Sequence, residues 1–562
     1  MDYAVSFGRI GKSAPAPPGP AFRLAVLGDF SGRANAGIVE TGAALTRRKP
    51  LEADVDNLDD LVARLAPKIT IALDDAGAVS VPIAGMDDFH PDQLAENLPI
   101  FEALLALRRN LQSPNGFDRA AKELLSWAGK TAPRVARAPA RGSAVATDRK
   151  LSDFARLSGR AAPAPERSAD DLIGRLVGPF IVPGRDARQE AMVAQVDEAL
   201  SAAMRRVLHH PDFQAAEGLW RGVEFLVRRI ETGARLQIVL YDISAEELAA
   251  DLAAADALET SALYALLVEQ PALDAQQGPL SLIAGLYGFE ATPPHADLLG
   301  RVAQVAAAAG APFVAGIGSD ALGAPMHEWH PLVQQAWNAL RALPAAAYLG
   351  LATPRFLLRM PYGKKTEPID AFAFEEFTRK GGLSGMLWGH PALLVALLTA
   401  QTWLADSKAM KLGRVANVGD LPVYVYHDTD GEQIALPCTE RLFSERQAVQ
   451  VSGCGVMPVV SLRGRPEVRL ASFDALAGKP LAGRWAPVEI APPPVPAAKP
   501  PPVAEPAQAV SAPATSEPKP PSPATSRDDD LDALLASLNA EPAPPAASDT
   551  EADLDALLAS LK

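Results

Sequence analysis

Two stretches dominated by proline and alanine interrupt this chain, and no continuous core can run through either of them. The first covers residues 131–167 and includes the basic run 134–141; the second covers 490–528. Neither offers enough apolar surface to offset the entropy lost on ordering it. The first therefore reads as a disordered linker (131–167), and the second opens an extended tail (488–562). Two regions with the patterning of folded protein remain, 1–130 and 168–487. Hydrophobic residues make up 48% of the 562, enough core material for two or three domains.

In the first region, residues 22–28 (FRLAVLG) form an apolar run that ends in Gly-Asp, which predicts a buried strand. Residues 56–65 predict a capped amphipathic helix with Leu58, Leu61, Val62 and Leu65 on one face. A strand is expected over 69–73, then one helix over 92–111 that buries Leu94, Leu98, Phe101, Leu105 and Leu107. The second region alternates: helices over 191–207 and 213–230, and a strand over 236–240. Ser244 to Glu247 then supply a capping box, and a helix over 301–309 feeds a strand over 312–316. Such alternation predicts a mixed α/β architecture.

The tail holds an internal repeat, for residues 530–538 and 553–561 both spell DLDALLASL. Leu531, Leu534, Leu535 and Leu538, and again Leu554, Leu557, Leu558 and Leu561, fall on one face of a two-turn helix whose N-terminal end carries Asp. A helix this short is marginal alone in water and gains from a groove. That groove belongs either to a partner or to the chain's own body; duplication on an extended arm favours a partner bound with avidity.

Few residues call for chemistry. A net charge of −14 argues against a nucleic-acid binder, which needs a basic face. The start, Met1-Asp2-Tyr3, lacks the features of a signal peptide, and no apolar run is long enough to span a bilayer, so a cytoplasmic protein is expected. Cys438 and Cys454 are too far apart for a redox or zinc motif and read as thiols in a reducing compartment. His327 and His330 could share a helical face and bind metal, but they lack the HExxH arrangement and a third ligand. His209 and His210, before Pro211 and Asp212, are expected at a helix end, where a histidine suits the carbonyl dipole. Gly316-Ile317-Gly318-Ser319-Asp320 follows a predicted strand as a dinucleotide loop would, yet position 321 is Ala321 and no acidic ribose partner is evident. There is no Walker motif, nucleophile elbow or kinase signature. The expectation is no catalytic residue, no cofactor and no metal.

Taken in order, these segments resemble a known family. Residues 22–32 (FRLAVLGDFSG), 48–67 and 86–94 (MDDFHPDQL), continuing to Arg108 and Leu111, are similar to the small type VI secretion sheath subunit, TssB/VipA. Residues 208–222 (LHHPDFQAAEGLWRG), 281–289, 311–313, 353–376 (TPRFLLRMPYGKKTEPIDAFAFEE), 387–389, 420–422, 436–440, 453–458 and 471–480 resemble the large subunit, TssC/VipB.

The resemblance implies one mixed helix–strand sheath protomer made of two intertwined parts, here joined in a fusion protein. It also implies a structural role in protein secretion: self-association into a helical contractile sheath around an inner tube, contact with baseplate components, and recycling by an AAA+ unfoldase of the ClpV type. Trp220, Arg221, Pro354, Arg355, Arg359 and Tyr362 match family motifs and are expected to be core anchors and buried ion pairs. Residues 170–177 (DDLIGRLV) lie where the large subunit carries a short helix for unfoldase recruitment, which makes Leu172, Ile173 and Leu176 candidate partner-binding residues. Past residue 480 the family's large subunit continues, where this chain has its proline-rich stretch and tail. That departure opens a second reading, a non-polymerising adaptor that tethers machine components through the tail helices; an enzyme on this scaffold is a third.

Overall fold

A computed structural model describes residues 21–485, apart from 75–76, 128–140, 143–172, 174–176, 178–188, 275–276, 407–409, 428–429 and 463. Among these, nine strands form one sheet: β1 (Phe22–Gly28), β2 (Leu51–Ala53), β3 (Leu236–Asp242), β4 (Leu282–Phe289), β5 (Phe313–Ile317), β6 (Leu349–Thr353), β7 (Asn417–Val418), β8 (Val456–Ser461) and β9 (Val468–Leu470). Their order is β7-β9-β8-β6-β5-β4-β1-β3-β2. The six strands from β8 to β3 are parallel throughout, and antiparallel pairs close both ends. A sheet with a parallel centre must be covered on both faces, and this one is.

Alternation along β1 shows how. Phe22, Leu24 and Val26 enter one core, together with side chains of the helices Pro99–Gln112, Gln189–Leu208, Pro211–Val227 and Pro391–Ala405. Ala25 and Leu27 enter a second core with Ala245–Ala254, Pro293–Ala309, Pro331–Ala342 and Glu445–Gly453. Successive strand residues point to opposite faces, so every β1 side chain is buried. The helix Pro391–Ala405 is apolar almost all round, and buries Thr399 and Thr402 by returning each hydroxyl to the carbonyl four residues back, at 2.7 Å.

The expected elements are present with adjusted ends. Residues 69–73 lie in the strand Lys68–Asp74, which forms an antiparallel hairpin with Gly77–Pro82. The single helix expected over 92–111 is instead two, Pro91–Asn97 and Pro99–Gln112, with Leu98 extended between them. Pro99 causes the break, because it supplies no N–H and disfavours helical backbone in the residue before it.

Candidate functional site: the seam between the two parts

The first part is threaded into the second. Strand β1 pairs with β3 along its whole length, Phe22 with Leu236 through Gly28 with Asp242, and with β4 from Leu24–Leu282 to Leu27–Gly285. On the far side of β3, β2 pairs antiparallel from Leu51–Leu240 to Ala53–Ile238. Strand β3 of the second part therefore lies between two strands of the first. No adjacent strand of the second part could satisfy its backbone groups if β1 and β2 were withdrawn.

Charged side chains lock the strand ends. The Arg48 guanidinium donates to both carboxylate oxygens of Glu247, to the Asp242 carbonyl (2.6 Å) and to Glu40 (2.8 Å). Glu247 is also the capping-box residue read from the sequence: the Ser244 hydroxyl accepts from the Glu247 amide and the Glu247 carboxylate accepts from the Ser244 amide, both at 3.1 Å. Ser31 donates to Asp242 through its amide (3.0 Å) and hydroxyl (2.7 Å), and Arg33 pairs with Asp242 and Glu40. Beside them, burial and then the Asp242 charge push the Asp29 carboxyl from 3.8 up to about 7, although the amides of Arg33 and Ala34 donate to it.

A second network lies under the other helix layer. Glu217, fully buried, accepts from Arg359 Nε (2.7 Å) and from Arg221 Nε (2.8 Å). Arg359 also donates to Glu376 (2.7 Å) and lies 4.2 Å over the Tyr362 ring, whose hydroxyl accepts from Arg221 at 3.0 Å. Burial alone would raise Glu376, but the charge of Arg359, with the His209 ring nitrogen 3.5 Å away, holds it at about 2. The first part reaches this network through its DDFHP segment. There the His90 ring meets Tyr362 edge-on at 5.0 Å, and the Asp92 carboxylate accepts from the amides of Asp370 and Ala371. Trp220 is buried edge-on against Phe30 of the first part.

Several expectations need correction. Arg355 is not a buried ion pair: it joins Glu440, and both side chains are more than a third exposed. The peptide bond before Pro354 is cis. His209 and His210 do follow the carbonyl end of the helix Gln189–Leu208, their amides donating to the Arg205 and Val207 carbonyls, but the His210 ring serves the next helix: it is the N-cap of Pro211–Val227, its Nδ1 accepting from the Asp212 amide. His90, His330 and His390 cap Pro91–Asn97, Pro331–Ala342 and Pro391–Ala405 in the same way, each followed by proline in the first turn. An acceptor nitrogen must be unprotonated, so these caps require neutral imidazole. His327 is exposed in a short 3-10 turn while His330 caps the next helix, and the two share no helical face. After β5 the chain enters only the 3-10 turn Ala321–Gly323, and the His390 ring leaves no room for a Cβ at Gly316. Among the described residues no cluster of three or more His, Cys, Asp or Glu could hold a metal ion, and no helix is long and apolar enough to cross a membrane.

Ile173 is buried in the larger core, as is Val177. Leu172, Leu176 and the eight tail leucines lie outside the described residues. Glu217, Glu376 and the Arg48–Glu247 pair were not singled out from sequence. The spacing of Glu217 and Arg221 on one helix was a local signal that could have found the first of them.

Residues 190–476 match the family described as EvpB/VC_A0108, tail sheath N-terminal domain, and residues 20–122 match that described as Type VI secretion system, VipA, VC_A0107 or Hcp2. The chain belongs to the type VI secretion sheath family. It is also similar to the type VI secretion system sheath protein TssC1 of Pseudomonas aeruginosa, with 29% identity over 333 residues covering 55% of this chain and 66% of that protein. The two strands β1 and β2 lie in the stretch that matches the VipA family, and both pair with β3 in the stretch that matches the tail sheath family.

Proposed function

We propose that this chain is a structural subunit of a type VI secretion contractile sheath, with the small and large sheath components carried on one polypeptide. The observation that carries this reading is β1 of the VipA-like part, hydrogen-bonded on both sides within a sheet of the VipB-like part. Two components that share a sheet fold and act as one unit, so joining them costs nothing in geometry. The chain divides into a small-subunit part (1–130), a linker (131–167), a large-subunit part (168–487) and a tail (488–562).

Copies of the protomer pack into a helical sheath around an inner tube in the cytoplasm, contact baseplate components at one end, and are recycled by a ClpV-like AAA+ unfoldase. No step calls for catalysis; the work of contraction comes from two packings of the same protomer. The tail leucines and the 170–177 segment are the proposed handles for the unfoldase or another machine component. Because Ile173 is buried in the core, recruitment through that segment requires it to leave the body first.

Negative-stain electron microscopy of the purified full-length protein, with and without residues 488–562, tests this reading. Tubes with cogwheel cross-sections are expected. Discrete particles alone, at high concentration and in the presence of the inner tube protein, would sink the sheath reading in favour of an adaptor.

A further inference from the structure

The basic run at the start of the linker ends in a dipeptide that does not behave as linker. Arg141 and Gly142 form a turn seated on the seam, with Gly142 buried and Arg141 exposed. The Arg141 amide donates to Asp212 Oδ1 at 2.7 Å, and its guanidinium donates to the Asn35 carbonyl at 3.2 Å. The Gly142 amide donates to Glu246 Oε1 at 3.0 Å. In return the Gly142 carbonyl accepts from the Ala245 amide at 3.0 Å, one of the first-turn N–H groups that a helix cannot satisfy internally.

The receiving groups come from both parts. Asp212, Ala245 and Glu246 belong to the second, while Asn35 and Asp29 belong to the first. Asn35 is itself fixed, since its side chain donates to Asp212 Oδ2 (2.9 Å) and to the Thr70 carbonyl (3.1 Å) and accepts from the Thr70 amide (2.7 Å). Glycine is required for two independent reasons. Its φ is +84°, and a Cβ built there would stand 2.2 Å from the Asp29 carboxylate oxygen and 2.8 Å from its Cβ.

We infer that the seam carries a recognition site for an Arg-Gly dipeptide, filled by the chain's own Arg141 and Gly142. The ligand class follows from the donors and acceptors. It is a peptide that presents two successive N–H groups to carboxylates and one carbonyl to a helix N-terminus, with a cation on the first residue and no side chain on the second.

Residue-resolved hydrogen exchange on the full chain tests this. In the wild type the amides of Gly142 and Ala245 are expected to exchange about 100-fold more slowly than an unstructured peptide, because Gly142 donates to the Glu246 carboxylate and Ala245 to the carbonyl of buried Gly142. Gly142→Ala should abolish that protection while the β1 and β3 amides keep theirs. Glu246→Ala removes the Gly142 acceptor without a clash. It should produce the same local loss and is the variant to read if Gly142→Ala disturbs the sheet. Unprotected Gly142 and Ala245 in the wild type, or protection unchanged in Glu246→Ala, would overturn the assignment.

Discussion

The guanidinium of Arg359 lies between two buried carboxylates, 2.7 Å from Glu217 and 2.7 Å from Glu376. It thereby ties the helix Pro211–Val227 to the segment that receives the first part's DDFHP motif. Removing it leaves two charges buried without their shared partner. Arg359→Met is expected to destabilise the protein by about 3–5 kcal/mol, read as a lower urea midpoint with unchanged slope. Arg355→Met, which breaks an exposed pair, should cost under about 1 kcal/mol. Equal costs for the two would contradict the burial argument.

Separating the parts should be worse than any point change. Residues 168–562 expressed alone have no strand beside β3 on either face of the gap left by β1 and β2, and an exposed pairing edge invites aggregation. The expected outcome is insoluble protein alone and a soluble, co-eluting pair when residues 1–130 are co-expressed. Solubility of the isolated second part, with its sheet amides protected, would refute the obligate pairing.

Asp29 gives stability a pH dependence. Its folded value, about 7, lies above the ordinary 3.8, so the folded state favours the protonated acid. That contribution is complete below about pH 4 and is lost as pH rises through 7, on the order of a few kcal/mol in all. Thermal melts of Asp29→Asn should therefore show a flatter decline than the wild type between pH 5 and 8. Parallel profiles would remove Asp29 from the account.

His390 acts in the opposite direction. Desolvation holds its imidazole at about 4, below the usual 6.5, while Nδ1 caps the helix Pro391–Ala405 and Nε2 donates to the Tyr287 carbonyl at 3.0 Å. The folded state favours the neutral ring, so this contribution is present above pH 6.5 and is lost as pH falls toward 4. His390→Asn preserves a capping side chain but cannot titrate. It should cost about 1–3 kcal/mol at pH 7, through the buried Tyr287 carbonyl left without its donor. The deficit should shrink as the wild type is acidified from pH 6.5 to 5, and a deficit constant with pH would show that the ring does not titrate on unfolding.

Much of the local structure was legible. Apolar runs marked β1 and β3, leucine spacing marked the helix Leu58–Leu65, and Ser244 with Glu247 marked a cap. These signals depend on residues a few positions apart, where periodicity and capping chemistry act. The His-Pro pairs were visible but ambiguous, because a histidine at a helix boundary can serve the end of one helix or the start of the next. Only the backbone at His210, extended before Pro211, makes it a cap.

The sequence by itself determined which segments could fold, their helix or strand character, the apolar faces they bury and, through motif resemblance, the family. Tertiary structure decided what each face meets. Leu24 finds Ile238 and Leu282 as neighbours on either side; Glu217 finds Arg359 far along the chain; and Arg141 with Gly142, placed in a linker by composition, finds a seat on the seam. The reason is physical. An apolar strand has the same affinity for many edges, and a charge the same attraction for many counterions. Chain closure and packing around one sheet select among them, and those selections are made between residues that no local pattern connects.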